Sequence, residues 1–514
     1  MTSPDDLPDA SFDGGTLDCG NGLLLLIRRH IDPLNAGQVL EVRSREPSVA
    51  DDLPAWSRLT GNALLSVTPD GDSTRYRLQK TRNPERGTRN EIPKTTGGEA
   101  TPLPFRSGFR APGSELLKSS GFRTPGSGLE VMGIGSWPRP VWLVRALHEW
   151  LAGRMSEADF DECADDAVRL CVAAQLRAGV DVVTDGEQRR DNYASFVASR
   201  LDNCQLIPVT DLLPYVTDPA KFASELAALD VPADRIRHPA VFGKLKRSRS
   251  LTGRELAFTQ SLTDRPVKVA LPGPYLLTRT MGLECVSDKA YPDRESLASD
   301  IVTVLREEAL QLLSDGVAIV QFDEPVLTEV VFARPAGRRT FMCGALGDRG
   351  SPVEELAFAG DLLRRVLDGL PRDRVALHVC RGNWSRDESV ALSGPYTPLV
   401  PLLASLPVGT FFLEMATPRA GELAPLADLP HDCRIGVGVV NQKLDRVETV
   451  EEVTALGEAA VAAFGAGRVL LNPDCGFATF ADSPVSSAAV AERKLGVIVE
   501  AARVLRQRHG LDSV

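Results

Sequence analysis

The sequence contains no apolar run that approaches the roughly 18 residues needed to cross a bilayer. Its first ten residues include three acidic side chains and no basic one, whereas a secretory signal peptide begins with basic and then apolar residues. The net charge of -11 is spread without a basic stripe, which disfavours nucleic acid and anionic membranes as partners. Nine cysteines in 514 residues are too few for a disulfide scaffold. We therefore expect a cytoplasmic protein that acts on small molecules, with some cysteines as metal ligands or catalytic thiols.

The composition divides the chain into three parts. Residues 11–80 have the alternating pattern of a compact domain, whereas residues 81–128 are rich in Arg, Gly, Pro, Ser and Thr and have little apolar periodicity. The second part contains an imperfect duplication, 107–114 against 120–127, which is too short and too polar to build a core. We predict a small domain over 11–80, a flexible linker over 81–128 and a larger domain over 129–514.

From residue 129 onward, short apolar segments alternate with amphipathic helices, which indicates a parallel sheet with crossover helices. Apolar residues recur at three- and four-residue spacing in Glu157–Arg177, Arg294–Ser314 and Val485–Gln507, which predicts helices there. The predicted strands are Val131–Ile134, Val180–Thr184, Val267–Leu271, Val317–Phe322, Val375–Val379, Phe411–Leu413, Ile435–Val440 and Val469–Leu471. Eight such units predict an α/β fold, a C-terminal (β/α)8 or TIM barrel.

Polar or reactive residues follow nearly every predicted strand. In a TIM barrel the catalytic groups lie at the C-terminal ends of the strands. The residues at these ends are Gly135-Ser136, Asp185-Gly186-Glu187, Gly273-Pro274, Asp323-Glu324, His378 with Cys380, Glu414, Asn441 with Lys443, and Asp474-Cys475. This pattern favours the barrel and places a candidate active site at this face.

A metal site is predicted among these strand ends. His378 and Cys380 lie two residues apart in an extended segment, so their side chains point the same way. Cys475 and Glu414, at two other strand ends, complete a tetrahedral set of one nitrogen, one oxygen and two sulfurs, which suits zinc. A carboxylate ligand from a separate strand is typical of a catalytic site with an exchangeable position. Taken alone, a His-x-Cys segment is more typical of a buried cysteine beside a satisfied core histidine than of a metal site.

The larger domain resembles the catalytic barrel of cobalamin-independent methionine synthase. The resemblance covers residues 131–506 and rests on Ile134-Gly-Ser-Trp-Pro138, Asp185-Gly-Glu187, Gln321-Phe-Asp-Glu-Pro325, Leu377-His-Val-Cys380, Leu413-Glu414 and Asn472-Pro-Asp-Cys-Gly476. It implies that zinc is held by His378, Cys380, Glu414 and Cys475, and that the metal activates the homocysteine thiol as a thiolate. It also implies that Ser136, Glu187 and Asp323 hold the amino-acid part of this thiol substrate.

Two positions depart from the folate-using members of the family. Thr280 lies near the place of a tryptophan that stacks on the pterin, and Lys443 replaces the histidine that protonates the leaving nitrogen. Lys443 is therefore the candidate catalytic acid or anion-binding residue, with a surface lysine as the alternative. These departures disfavour folate as the methyl donor and favour a corrinoid protein or another small donor.

The front domain, within residues 12–80, resembles the TusA-like sulfur carriers, which are small α+β two-layer sandwiches. The resemblance rests on Leu17-Asp-Cys-Gly-Asn-Gly22, followed by a helix, and on Asp52-Leu-Pro-Ala-Trp56. Both prolines of the carriers' Cys-Pro-x-Pro turn are glycines here, but Cys19 keeps the sulfur position. The resemblance implies that Cys19 carries a persulfide supplied by a cysteine desulfurase or another relay partner. An inert cysteine at the start of a helix is the alternative.

Two functions are compatible with these features. In the first, the chain is a zinc-dependent methyltransferase that acts on homocysteine or a similar thiol, and the front domain delivers sulfur or docks a partner. In the second, the chain is a sulfurtransferase: zinc holds an acceptor thiol, Cys19 carries a persulfide and no methyl group moves. The strand-end residues Ser136, Glu187 and Asp323 favour the first, because they supply a pocket for an amino-acid substrate.

Overall fold

The computed structural model describes residues 8–16, 23–31, 33–47, 49–50, 53–54, 57, 62–81, 128–208, 237–282, 290–332, 351–383 and 385–511. The chain divides into two compact units, a smaller one of residues 1–19 and 26–122 and a larger one of residues 20–25 and 123–514. Cys19 and nearly all of the predicted linker, 82–127, lie outside the described residues. Within the described part, no helix is long and apolar enough to cross a membrane.

The smaller unit is a four-stranded mixed sheet with a helix. Its elements are β1 (Ala10–Asp13), α1 (Leu24–Ile31), β2 (Val39–Ser44), β3 (Ala63–Asp70) and β4 (Ser73–Gln79). The strand order is β1-β2-β4-β3, with β1 parallel to β2 and the other two pairs antiparallel. Leu40 and Val42 lie opposite Leu78 and Tyr76, and all four side chains are buried on one face of the sheet. This unit confirms the predicted small α+β domain ahead of the barrel.

The described residues of the larger unit form eight strands in two sheets. They are β5 (Leu201–Pro208), β6 (Arg237–Arg247), β7 (Lys268–Pro272), β8 (Ile319–Asp323), β9 (Val375–Val379), β10 (Thr410–Leu413), β11 (Arg434–Val440) and β12 (Val469–Pro473). Strands β7 to β12 form a parallel sheet in chain order, whereas β5 and β6 form an antiparallel pair that the sequence analysis did not predict. In the chain, this pair lies between the predicted barrel strands Val180–Thr184 and Val267–Leu271.

Two short segments close the parallel sheet into a barrel. Parallel bridges join Val131 to Leu471, Met132 to Val182, and Val183 to Val267, so the ring is continuous from β12 back to β7. The predicted (β/α)8 barrel is therefore confirmed, although its first two strands are single bridges and not full strands. The first segment forms only a bridge partly because the Val131 amide donates to the Asp181 carboxylate (2.8 Å) and not to a neighbouring strand.

Helices surround the barrel, and most of them pack an apolar face against it. They are α2 (Val141–Leu151), α3 (Glu157–Ala178), α4 (Gly253–Leu262), α5 (Pro274–Met281), α6 (Arg294–Ser314), α7 (Val326–Phe332), α8 (Pro352–Leu367), α9 (Val400–Ala404), α10 (Val450–Phe464) and α11 (Ala488–Arg508). The predicted helices correspond to α3, α6 and α11, and the largest error is the start of α11, three residues later than predicted. Ser487 caps α11 by accepting from the Val490 amide at 3.3 Å, which fixes that start.

The interior of the barrel changes from apolar to polar along the strands. Its lower layer is a cluster of buried apolar side chains that includes Met132, Val182, Ile319, Phe412 and Leu470. Above it, toward the C-terminal ends of the strands, the buried inward-facing residues become Gln321, Asp323, His378 and Asn472. Lys268, at the start of β7 beside Ile319, extends its ammonium to Gln321 in this upper layer. Polar groups at this depth require partners, so this end of the barrel is where a functional site is expected.

Candidate functional site

Three predicted metal ligands lie together at the C-terminal ends of β9 and β12. One ligand atom from each of His378, Cys380 and Cys475 lies within 4.8 Å of the other two, and all three side chains are buried. The two sulfur atoms are 3.7 Å apart. The strand ends therefore bring these residues into one cluster, as the two-residue spacing of His378 and Cys380 predicted.

The chemistry of this cluster fits a thiophilic cation such as zinc. The Cys475 thiol donates a hydrogen bond to the Cys380 sulfur, which lowers the pKa of Cys380 and raises that of Cys475. One thiolate is therefore already favoured in the pair. Nε2 of His378 is buried and makes no hydrogen bond of normal geometry among the described residues, while Nδ1 contacts Asp323 at 3.0 Å. Burial lowers the pKa of His378, but Asp323 and the nearby Cys380 sulfur outweigh it and raise that pKa to about 10. A buried nitrogen without a partner is costly unless it coordinates a ligand.

Glu414, the predicted fourth ligand, does not join this group. Its Oε2 accepts from the Arg381 amide at 2.8 Å, and its Oε1 accepts from Nε of Arg419 at 2.9 Å. Both oxygens thus accept a hydrogen bond, and Arg419 was not identified from the sequence. Glu414 nevertheless lies close enough to the sulfurs to oppose ionisation of both Cys380 and Cys475. Each carboxylate oxygen keeps a second lone pair, so these hydrogen bonds do not prevent coordination, and the role of Glu414 as a ligand remains a prediction.

A pocket opens beside the cluster. Its wall includes all three predicted substrate-binding residues and all three residues of the cluster. The lining residues are Ile134, Ser136, Glu187, Tyr193, Asp323, Pro325, His378, Cys380, Asn383, Cys475, Gly476, Thr479 and Phe480. The sequence analysis missed Tyr193, Asn383, Thr479 and Phe480, because they lie on loops beyond the strand ends. Asn383 holds two of these loops together by donating to the Gly476 carbonyl (2.6 Å) and to Thr479 (2.7 Å).

Glu187 enters the pocket from a tight turn. Its φ of 55° is rare for a residue with a side chain and follows Gly186 at 70°. The carboxylate lies directly over Gly135, where an added Cβ would be 2.2 Å from Oε1, so a larger residue there would displace the Glu187 carboxylate. Burial raises the pKa of Glu187 to about 7, with Arg190 opposing the shift and Asp323 adding to it. Oε2 is buried without a partner among the described residues, and it is therefore available to a cationic ligand.

Lys443 is buried at the end of β11, with 2% of its surface exposed. Burial lowers the pKa of its ammonium group, and the nearby Arg419 cation lowers it further. No carboxylate within the described ranges lies within 4 Å of Nζ, although Glu414 and both cysteines of the cluster act on it electrostatically. The alternative of a surface lysine is therefore wrong. Cys19, the other predicted catalytic residue, lies outside the described residues.

Comparison with known proteins connects this arrangement to one family. The model of the family described as cobalamin-independent synthase, catalytic domain, matches residues 130–503. The methionine synthase of Sulfolobus acidocaldarius is 28% identical over 346 residues, which cover 67% of this chain and 84% of that protein. A 5-methyltetrahydropteroyltriglutamate–homocysteine methyltransferase of Acidithiobacillus ferrooxidans is 26% identical over 378 residues, which cover 73% of this chain but only 42% of that protein. Among solved structures, a B12-independent methionine synthase from a Shewanella species has the same fold, with a TM-score of 0.57, 24% identity, and coverage of 74% of this chain and 98% of the other.

Proposed function

Because the chain belongs to the cobalamin-independent synthase catalytic domain family, we propose that it is a zinc-dependent methyltransferase whose substrate is homocysteine or a similar thiol. The observation that carries this proposal is the cluster of His378, Cys380 and Cys475 in the wall of a pocket that also contains two buried carboxylates. Thiol-reactive chemistry and recognition of an amino acid are thus supported at the same place. The experiment is to incubate the purified protein with homocysteine and several methyl donors and to search for methionine by mass spectrometry. If no methylated thiol forms with any donor, the proposal is wrong.

Some residues of the pocket would bind the metal, and others would bind the substrate. His378, Cys380 and Cys475 would hold zinc, with Glu414 as the fourth ligand and Arg419 hydrogen-bonded to its carboxylate. Zinc bound there lowers the pKa of a coordinated thiol, so that the nucleophilic thiolate dominates at neutral pH. The buried carboxylates of Glu187 and Asp323 would face the substrate ammonium, and Ser136 would hydrogen-bond the amino-acid part. Phe480 and Ile134 in the same wall would exclude water from the thiolate.

Lys443 would act on the methyl donor. Its ammonium is buried, it has no ion-pair partner among the described residues, and it lies within electrostatic reach of the cysteine pair. A buried cation without an anion favours an anionic ligand or gives up its proton readily. Lys443 would therefore either protonate the leaving group or bind an acidic group of the donor.

Methyltetrahydrofolate is expected to be a poor donor. Thr280 is buried near the place where the folate-using members carry a tryptophan, so the pterin has no stacking partner there. With lysine in place of the histidine acid, we expect kcat/KM with this folate to be on the order of 100-fold below that with a methylated corrinoid. Steady-state methionine formation with each donor measures the ratio. Equal or faster turnover with the folate would contradict this assignment of the donor.

The front unit is proposed to be a TusA-like sulfur-carrier domain over residues 11–80. The parallel β1–β2 pair with a helix between its strands, followed by the antiparallel β3–β4 pair, supports an α+β carrier fold. The comparisons do not favour the alternative in which the whole chain is a sulfurtransferase, because the family match points to methyl transfer. We also propose that residues 81–128 form a linker, which is consistent with the two compact units. Almost all of these residues lie outside the described structure.

If the front domain delivers sulfur, Cys19 is expected to accept a persulfide from a cysteine desulfurase. Cys19→Ala should then abolish the transfer of labelled sulfane sulfur from the desulfurase to the protein, because the proposed carrier thiol is missing. Zinc content and methylation of a supplied thiol should stay unchanged. Mass spectrometry of the protein and of the product measures both effects. A Cys19→Ala protein that incorporates labelled sulfur as well as the parent would end the relay hypothesis.

A further inference from the structure

One buried tyrosine hydroxyl bridges two strand ends that carry three of the four predicted zinc ligands. The Tyr396 hydroxyl donates to the Val379 carbonyl at 2.7 Å and accepts from the Glu414 amide at 3.0 Å. Val379 ends β9 and lies between His378 and Cys380, whereas Glu414 directly follows β10. Tyr396 belongs to neither strand, and it is 0% exposed.

The direction of both hydrogen bonds follows from the main-chain groups that the hydroxyl meets. A carbonyl oxygen can only accept and an amide can only donate, so the hydroxyl must donate to Val379 and accept from Glu414. This assignment needs no choice of tautomer, amide orientation or ionised state. Removal of the hydroxyl would leave the buried Glu414 amide without the partner that it has here, and such a group must find another one.

The hydroxyl also sets how closely the two strand ends approach each other. Arg381, which follows Cys380, draws Glu414 toward β9, because its amide donates to the carboxylate at 2.8 Å and its guanidinium donates to the Glu414 carbonyl at 3.2 Å. The same guanidinium lies 4.1 Å from the centre of the Tyr396 ring and holds the ring in place. Without the hydroxyl between them, the Glu414 amide and the Val379 carbonyl could approach to about 2.9 Å and bond directly. Arg381 therefore pulls the two ends together, and Tyr396 keeps them apart.

We propose that Tyr396 is a positioning residue of the metal site, whose hydroxyl is a spacer that holds Glu414 at a set distance from the two ligands at the end of β9. The inference rests on the proposed function, with Glu414 as the fourth ligand, and it deepens that function. In Tyr396→Phe the ring hydrogen on Cζ occupies the space that a water molecule would need, so water cannot restore the bridge. The Glu414 amide then moves to the Val379 carbonyl, and its carboxylate moves with it relative to the cluster.

The test compares zinc affinity in two tyrosine variants. Tyr396→Phe removes only the hydroxyl, and we expect roughly 10- to 100-fold weaker zinc binding in competition with a chelator. Tyr291→Phe is the matched control, because the buried Tyr291 hydroxyl likewise accepts from a main-chain amide, that of Leu245 at 2.7 Å. Leu245 lies on β6, which belongs to the antiparallel pair and not to the barrel. The control should lose stability and bind zinc like the parent.

A second comparison separates a displaced ligand from a weaker fold. If Tyr396 acts through Glu414, Tyr396→Phe should weaken zinc binding no further in a protein that already carries Glu414→Gln. A general loss of stability would instead add to the effect of Glu414→Gln. Chelator competition on the two single variants and the double variant measures this difference.

A measurement on the parent covers the case in which Tyr396→Phe does not fold. In the metal-free parent, the Glu414 amide should exchange slowly with deuterium, because its hydrogen bond is buried. The positioning role is wrong if this amide exchanges freely, if folded Tyr396→Phe binds zinc as the parent does, or if its effect adds in full to that of Glu414→Gln. If instead the parent itself binds no zinc, or Cys380→Ser binds it normally, the proposed metal site fails and not the role of Tyr396 alone.

Discussion

Replacement of Cys380 or Cys475 by serine is expected to lower zinc affinity by at least about 100-fold and to remove thiol methylation. Each cysteine supplies a sulfur to a cluster whose ligand atoms lie within 4.8 Å, and the shared hydrogen bond already favours one thiolate. A serine hydroxyl stays protonated at neutral pH and is a weak zinc ligand. The zinc content of the purified variants, with chelator competition for affinity, measures this effect.

The matched control for these variants is Cys433→Ser. Cys433 is fully buried, but it precedes β11 at the opposite end of the barrel, where its sulfur lies 3.8 Å from a nitrogen of Arg468. The control should lose some stability and keep its zinc. If Cys380→Ser and Cys475→Ser retain full zinc, or if Cys433→Ser loses as much, the assignment of the site is wrong.

Replacement of Glu187 by glutamine is expected to raise the KM for homocysteine by roughly 10- to 100-fold, which corresponds to the loss of one charged hydrogen bond. The Glu187 carboxylate is buried, one of its oxygens has no partner among the described residues, and the side chain lines the pocket. Zinc affinity should stay close to that of the parent, because Glu187 is not among the proposed ligands. Initial rates at varied homocysteine concentration, together with chelator competition, separate the two effects.

The buried Glu187 carboxylate also predicts that the KM for homocysteine depends on pH. Burial raises the pKa of Glu187 to about 7, so the carboxylate gains a proton as the pH falls through neutrality. A neutral carboxyl group attracts the substrate ammonium less, so KM for homocysteine should rise as the pH falls from about 8 to 6. Glu187→Gln should remove this part of the pH profile. The slope should persist in Glu130→Gln, which changes a buried carboxylate just before the first barrel segment, at the other end of the barrel. A parent enzyme whose KM does not vary over this range would contradict the role of Glu187.

The sequence by itself was sufficient for the barrel and for most of the candidate site. In a parallel barrel, polar residues at the ends of short apolar strands predict a functional site, because the carboxyl ends of all strands meet at one face. His378 and Cys380 could be paired from their spacing, and Cys475 from its place after β12. The same local reasoning placed Glu187 and Asp323 at this face, because Asp323 ends β8 and Glu187 lies three residues beyond the predicted strand Val180–Thr184. Their assignment to the substrate came from the family resemblance.

The tertiary structure decided what depends on contacts between distant residues. The pairing of Glu414 with Arg419 joins a strand end to a short helix after it, and neither residue type nor spacing indicates that this arginine binds the carboxylate. Tyr396 lies 17 residues after Val379 and 18 residues before Glu414, and its hydroxyl meets both only because β9 and β10 are neighbours in the barrel. Periodicity shows which way a side chain points from its own strand. Which atoms it then meets is set by strand register and by the packing of the interior, and these exist only in the folded chain.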